Sequence, residues 1–287
     1  MLTEVAGIEV RSRSPLGSSH AWTLQRGELA DGRVFFVKVA PGHSEALDAE
    51  AASLRWLGEV RDGVAVPQVL AAGEGTLVLE WVSETGPGPT AAEDLGRRLA
   101  TTHHAGAESF GAPWSGWLAT LPLDNTAPPD TAPLDNAAET AWPEWFAERR
   151  LRPYLRRARD AGTLGPQDVE LVERVLERVE ELSGPAEPPA RIHGDLWAGN
   201  VLWTEDGAKV IDPAAHGGHR ESDLAMLHLF GAPHLDRIVA AYTEVWPLAE
   251  GWQQRIPLHQ LHPLLAHVCL FGTSYRSQLL RAAQSLT

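Results

Sequence analysis

Residues 191–203 read RIHGDLWAGNVLW, and residues 209–226 read KVIDPAAHGGHRESDLAM. His193, Asp195, Asn200 and Asp212 stand at short intervals inside otherwise apolar sequence. The runs VLW and AKVI predict two short strands, with Glu205-Asp206-Gly207 as the turn between them, so residues 192–200 form a loop that feeds a hairpin. An Asp in a loop is commonly a cap or an Asx turn, and HGD alone carries little weight. The order carries more: Asp195, then Asn200, the hairpin and Asp212, all downstream of a strand lysine and a helical glutamate. Phosphoryl transfer to an alcohol needs a carboxylate to orient the hydroxyl and accept its proton, and hard oxygen ligands to hold Mg²⁺ against a triphosphate. Asp195 suits the first task, and Asn200 and Asp212 suit the second.

Working outward, FFVKVA sets Lys38 among apolar neighbours at strand spacing, as a lysine reaching across a cleft to ATP phosphates would be. Of the 24 basic residues only Lys38 and Lys209 are lysines, in a chain that elsewhere uses arginine. Glu50 and Glu45, both in the next helical stretch, are the candidates to hold that ammonium, and Glu50 is preferred because it precedes AASLRWL. SPLGSSHAW precedes the lysine and is the candidate phosphate-covering loop, with Gly17, Ser18 and Ser19 in place of several glycines. Glu80 and Val82, at the end of TLVLEWV, complete the nucleotide residues.

The first eighty residues read as sheet with one helix. Asp31-Gly32 joins two alternating runs, residues 44–58 have helical spacing at Leu47, Ala51, Leu54 and Leu57, and two strands flank residues 73–75. SETGPGP, residues 83–89, is a flexible break, and Thr90 with Glu93 predicts a capping box for the helix behind it. Mainly helical sequence follows, interrupted by a Pro/Asn/Asp-rich loop at 122–136. Residues 166–182 predict one amphipathic helix, with Val169, Val172, Leu176 and Val179 facing the core. The boundaries implied are an N-terminal nucleotide-binding lobe at 1–82 and a catalytic, substrate-binding lobe at 83–287.

Composition excludes several classes. At 287 residues the chain is long enough for two lobes, and no apolar run approaches the ~20 residues a membrane span needs. The net charge of −14 opposes nucleic-acid binding. The arginine cluster at 149–159 reads as the solvated face of a helix. Residues 1–15 show no secretory pattern, and Cys269 stands alone, so a cytoplasmic location is the expectation, and separately a monomer is expected. His103-His104 are read as helix-end residues interacting with the dipole. His259, His262 and His267, in a helix interrupted by Pro263, are discounted as a zinc site because no acidic cluster accompanies them.

HGDLWAGNVLW, IDPAAHGGHRESDLAM, WPEWFAERRL and PLHQLHPLLAHVCLFGTSY together resemble the fructosamine kinase or ketosamine-3-kinase family, within the aminoglycoside phosphotransferase group of kinase-like folds. The resemblance runs from about Lys38 to Tyr275. It implies an α+β, bilobal protein-kinase-like fold. It also implies ATP- and Mg²⁺-dependent phosphorylation of the 3-hydroxyl of a ketoamine, in deglycation repair. Asp223 resembles the family's helix aspartate that braces the catalytic loop, and His193 supports that loop through hydrogen bonds. Trp197 either stacks on the sugar or packs in the core. His216 and Gly217 stand where the family has two aromatics and are assigned to the substrate pocket, with the Trp114–Trp117 loop over them. The alternatives are another small-molecule kinase, for aminoglycosides or amino alcohols, and a pseudokinase that binds nucleotide as a scaffold.

Overall fold

Alternation of apolar and polar residues builds the first eighty residues around a six-stranded antiparallel sheet. In this computed structural model, which describes residues 3–5, 8–19, 21–126 and 141–287, the strands are β1 (Thr3–Val5), β2 (Ile8–Ser19), β3 (Trp22–Leu29), β4 (Val34–Val39), β5 (Val69–Gly73) and β6 (Thr76–Glu80), in the spatial order β1-β2-β3-β4-β6-β5. In β4 the period of two sends Phe35 and Val37 into one core layer and Phe36 and Lys38 to the opposite face. Helix α1 (Ser44–Gly58) lays Leu47, Ala51 and Leu54 on that opposite face, against Trp22, Leu77 and Leu79. Each buried leucine there stabilises by about 1.5–3 kcal/mol. Lys38 and the helix that carries Glu50 therefore face one another.

Beyond residues 81–88 the chain is mainly helical. Helix α2 (Pro89–His104) precedes a small hairpin, β7 (Gly116–Leu118) and β8 (Leu121–Leu123). Then come α3 (Ala141–Phe146), a π-helical turn at Ala147–Leu151, α4 (Arg152–Asp160), α5 (Pro166–Leu176) and α6 (Val179–Leu182). Strand β9 (Ala190–Ile192) pairs with β12 (His216–Gly218), and between them lies the hairpin of β10 (Val201–Thr204) and β11 (Gly207–Val210). Four helices close the chain: α7 (Glu221–Phe230), α8 (Leu235–Val245), α9 (Trp252–Phe271) and α10 (Arg276–Gln284). The larger core gathers α4, α5, α9 and α10, with Leu155, Val172, Leu261, Leu265 and Leu279 fully enclosed.

Four local expectations are corrected. Helix α2 starts at Pro89 with Gly88 as its cap and no side-chain cap bond; proline already suits the first helical position, and Glu93 pairs with Arg237 at 2.6 Å instead of closing a capping box. The helix expected over 166–182 is broken after Leu176 into α5 and α6. Helix α9 is not interrupted at Pro263 but runs through both Pro257 and Pro263, because burial of Leu258, Leu261, Leu264 and Leu265 on several sides outweighs the lost ladder bonds. Within the arginine cluster, Arg150 is only 1 % exposed and does not belong to a solvated face. The Pro-rich segment falls, from residue 127 onward, outside the described residues.

Candidate active site

The loop between β9 and β10 owes its shape to a glycine. Gly194 has φ +82°, and a Cβ there would come within 2.3 Å of the Ala214 carbonyl oxygen, so no larger residue fits between His193 and Asp195. The loop is pinned from below by Asp223 of α7, whose Oδ2 accepts from the His193 amide at 2.7 Å and whose Oδ1 accepts from the Gly194 amide at 2.9 Å. His193 Nε2 bonds the Ile211 carbonyl at 3.0 Å, while its Nδ1 accepts the Asp195 amide at 3.2 Å. These two bonds fix the tautomer, and burial lowers the imidazole's basicity. Behind Asp223 stands His103, bonded through Nε2 to Asp223 at 3.0 Å and through Nδ1 to the Tyr242 hydroxyl at 2.9 Å. His103, in the last turn of α2 as expected, is thus also a buried brace.

Asp195 and Asn200 meet directly: the Asn200 amide donates to the Asp195 carbonyl at 2.8 Å and to its carboxylate at 3.2 Å. Burial first, and then the nearby charge of Asp212, raise the Asp195 carboxyl well above the usual carboxylate range. Asp212, two residues beyond β11, adopts φ +55°, a left-handed conformation held by its surroundings. From there its Oδ1 accepts from Lys38 Nζ at 2.6 Å. Lys38 also donates to both oxygens of Glu50, at 2.8 and 2.9 Å, so Glu50 and not Glu45 holds the ammonium. Burial alone would lower Lys38, but Glu50 and then Asp212 reverse this and hold it above its ordinary value.

Two connected spaces surround these groups. A cleft of about 290 Å³ runs along the sheet between Trp22, Leu24, Phe36 and Leu79 on one side and Leu202 and Ile211 on the other, with Lys38 and Asp212 at its inner end. Glu80 and Val82 line it, and so does Ser19, whereas Gly17 and Ser18 do not. Gly17 sits at a β-bulge in β2 with φ +122°. Glu80 also bonds Lys209 at 2.7 Å. The second space is walled by Asp195, Asn200, Asp212, Trp117 and Trp197. Trp197 is 39 % exposed, with its ring edge-on to Phe230, so it is a surface ring beside Asp195 and not a core residue.

The remaining substrate residues divide. His216 is buried and lines a cavity beneath Asp195, where burial lowers it to about 3. Gly217 faces away: its amide and carbonyl both bond Gly111, and a Cβ there would lie 2.0 Å from the Ser109 carbonyl oxygen. Trp114 packs edge-on against Trp56 in a separate groove, which leaves Trp117 as the indole facing the cleft. Gly217→Tyr is therefore expected to destabilise the fold by roughly 3 kcal/mol or more through overpacking against main chain. A thermal melt matching the wild type would show that the backbone there yields. Among the described residues, His219, Glu221 and His259 bring potential metal-ligand atoms together, but Arg255 holds both oxygens of Glu221, at 2.9 and 2.5 Å, and already neutralises the carboxylate.

With this geometry in view, a family model described as fructosamine kinase matches residues 6–287. The chain belongs to the fructosamine kinase family. It is a phosphotransferase. A Thermus thermophilus protein described as a probable ketoamine kinase is 38 % identical over 288 residues, covering 98 % of this chain and 97 % of that one. A crystal structure of a Thermobifida fusca protein described as a putative fructosamine-3-kinase is 56 % identical, with a TM-score of 0.89 over 98 % of this chain and 95 % of that one. Macrolide 2'-phosphotransferase type I is 17 % identical, with a TM-score of 0.61 over 98 % of this chain and 93 % of that one, and shares the bilobal kinase-like fold. No described helix of this fructosamine kinase family member is long and apolar enough to cross a membrane.

Proposed function

We propose that this chain uses ATP and Mg²⁺ to phosphorylate the 3-hydroxyl of a sugar joined to an amine as a ketoamine, in the repair of glycated amines. The observation that carries the reading is the lysine bonded to both Glu50 and Asp212 beside the Asp195–Asn200 pair. Residues 1–82 hold the nucleotide, its adenine between the apolar walls of the cleft near Glu80 and Val82, and residues 83–287 present the acceptor. Lys38 orients the triphosphate. Asp195 takes the proton of the acceptor hydroxyl as its oxygen forms the new bond to the γ-phosphorus, the bond from that phosphorus to the β,γ-bridging oxygen breaks, and ADP leaves.

The donor set suits Mg²⁺. Asn200 spends its amide hydrogens on Asp195, which leaves its side-chain oxygen for a hard cation, and Asp212 offers a carboxylate beside it. Glu50, Asp195 and Asp212 crowd three carboxyl groups around one ammonium, and a divalent cation beside them would favour their ionised forms. When bound, Mg²⁺ supplies charge neutralisation on the phosphate oxygens.

Product NMR on an acceptor panel tests the reading: glycated lysine, ribulosamines, free sugars, amino alcohols and aminoglycosides, each with ATP and Mg²⁺. Phosphate on C3 of a ketoamine is the expected result. Phosphate on another carbon, or faster use of an aminoglycoside than of every ketoamine, would promote the other small-molecule kinase. No turnover with any acceptor would promote the scaffold.

A further inference from the structure

Apart from Asp195 in its wall, the cavity beneath the catalytic loop has no part in the chemistry above. Its floor is Arg150, presented by the π-helical turn at 147–151, a local widening of the helix that recurs at functional sites. Arg150 is fully buried yet has no carboxylate partner among the described residues. Its Nη1 donates to the Asp124 carbonyl at 2.6 Å, its Nη2 donates to Asn125 Oδ1 at 2.6 Å, and its guanidinium lies 4.3 Å from the Trp145 ring centroid. Its Nε–H has no acceptor. His262, also lining this cavity and 8 % exposed, has an Nε2 without a partner. His216 donates Nδ1–H to the Ala214 carbonyl at 2.8 Å, which leaves its Nε2 as an acceptor.

A buried donor without an acceptor is costly, and a buried cation without a counter-charge more so, so the ligand that completes this cavity is legible from its chemistry. An anion would satisfy Arg150 but would meet the lone pair of His216 and the carboxylate of Asp195. A hydroxyl both accepts and donates, so one such group can accept from Arg150 Nε–H and donate to an imidazole nitrogen. Asp195 lines this cavity and the open cleft alike, so its carboxylate stands between the two, beside the acceptor.

We infer that this cavity is a hydroxyl-binding subsite, in which Arg150 and His262 hold a hydroxyl of the acceptor sugar other than the one phosphorylated. The inference rests on the ketoamine reading above and assigns specificity to residues outside the phosphoryl-transfer set. Each non-reacting hydroxyl of a ketoamine substrate is removed in turn, and kcat/KM is measured for wild type, Arg150→Lys and His262→Asn. Wild type is expected to disfavour one deoxy analogue by roughly 10²-fold, the cost of leaving a buried donor unpaired. In either variant that ratio should collapse toward one, because lysine keeps the charge without an Nε–H and asparagine lacks Nε2. ATP affinity should stay unchanged.

Equal use of every deoxy analogue by wild type would overturn the inference and leave a water-filled cavity. So would variants that slow both substrates in parallel and preserve the ratio, since a merely structural role has that signature. If Arg150→Lys does not fold, His262→Asn decides. If wild type phosphorylates no ketoamine, the functional reading fails by itself, and the same deoxy series made on whichever alcohol it does phosphorylate judges the subsite.

Discussion

Asp195→Asn is expected to lower kcat by roughly 10²-fold or more, the contribution of a positioned general base, while leaving nucleotide affinity near its wild-type value. The substitution is nearly isosteric, and the Asn200 amide can still donate to the remaining carbonyl oxygen, so the loop geometry survives. Stability is expected to hold or to rise, because the wild-type carboxylate is buried beside Asp212 and above Asp223, an arrangement whose repulsion the amide relieves. Steady-state kinetics, a nucleotide titration and a melt check the three parts separately. Near-normal turnover in a folded, ATP-binding variant would remove Asp195 from the mechanism. Lost turnover accompanied by lost ATP binding would mean that the loop itself had moved.

That experiment bears on residues which were legible in the sequence, and the reason is physical. Asp195, Asn200 and Asp212 lie within eighteen residues, so a loop, a tight hairpin and a strand end suffice to bring them together, and each of those elements has a local signature. Lys38 and Glu50 are twelve residues apart on a strand and the helix that follows it, again a local arrangement. The surroundings of Gly217, Arg150 and His103 are made by distant segments, so no local pattern announces them. Ser109 crowds Gly217, the 124–125 backbone and side chain receive Arg150, and Tyr242 and Asp223 enclose His103. Five neighbouring arginines gave Arg150 no distinguishing mark. Its own burial separates it from them, Arg149 of the same π-helical turn included. The Pro257 and Pro263 positions make the same point in reverse, since a strong local rule against helix yields there to the burial of a whole row of leucines.

Lys38→Arg tests whether the ammonium is needed for its shape or merely for its charge. The lysine is 4 % exposed, and its single nitrogen reaches three carboxylate oxygens from two segments, Glu50 in α1 and Asp212 just beyond β11, all within 2.9 Å. A compact ammonium with three donors can serve a cluster of that kind, and it can turn a donor toward phosphate oxygens when nucleotide arrives. A guanidinium is planar and wider, and its donors are fixed in a fork, so it cannot bond Glu50 and Asp212 together in the same space without moving α1 away from β4. Displacement of Asp212 follows, and with it one of the two residues proposed to hold Mg²⁺. Turnover is therefore expected to fall by roughly 10²-fold, a loss of the size seen when one preorganised electrostatic group is removed, and the Mg²⁺ concentration for half-maximal rate should rise. Glu50→Gln, which keeps the side chain's shape while weakening its hold on the lysine, should cost less. A Lys38→Arg enzyme with wild-type kcat and unchanged Mg²⁺ dependence would show that position 38 supplies only a positive charge, and would detach Glu50 from the catalytic arrangement.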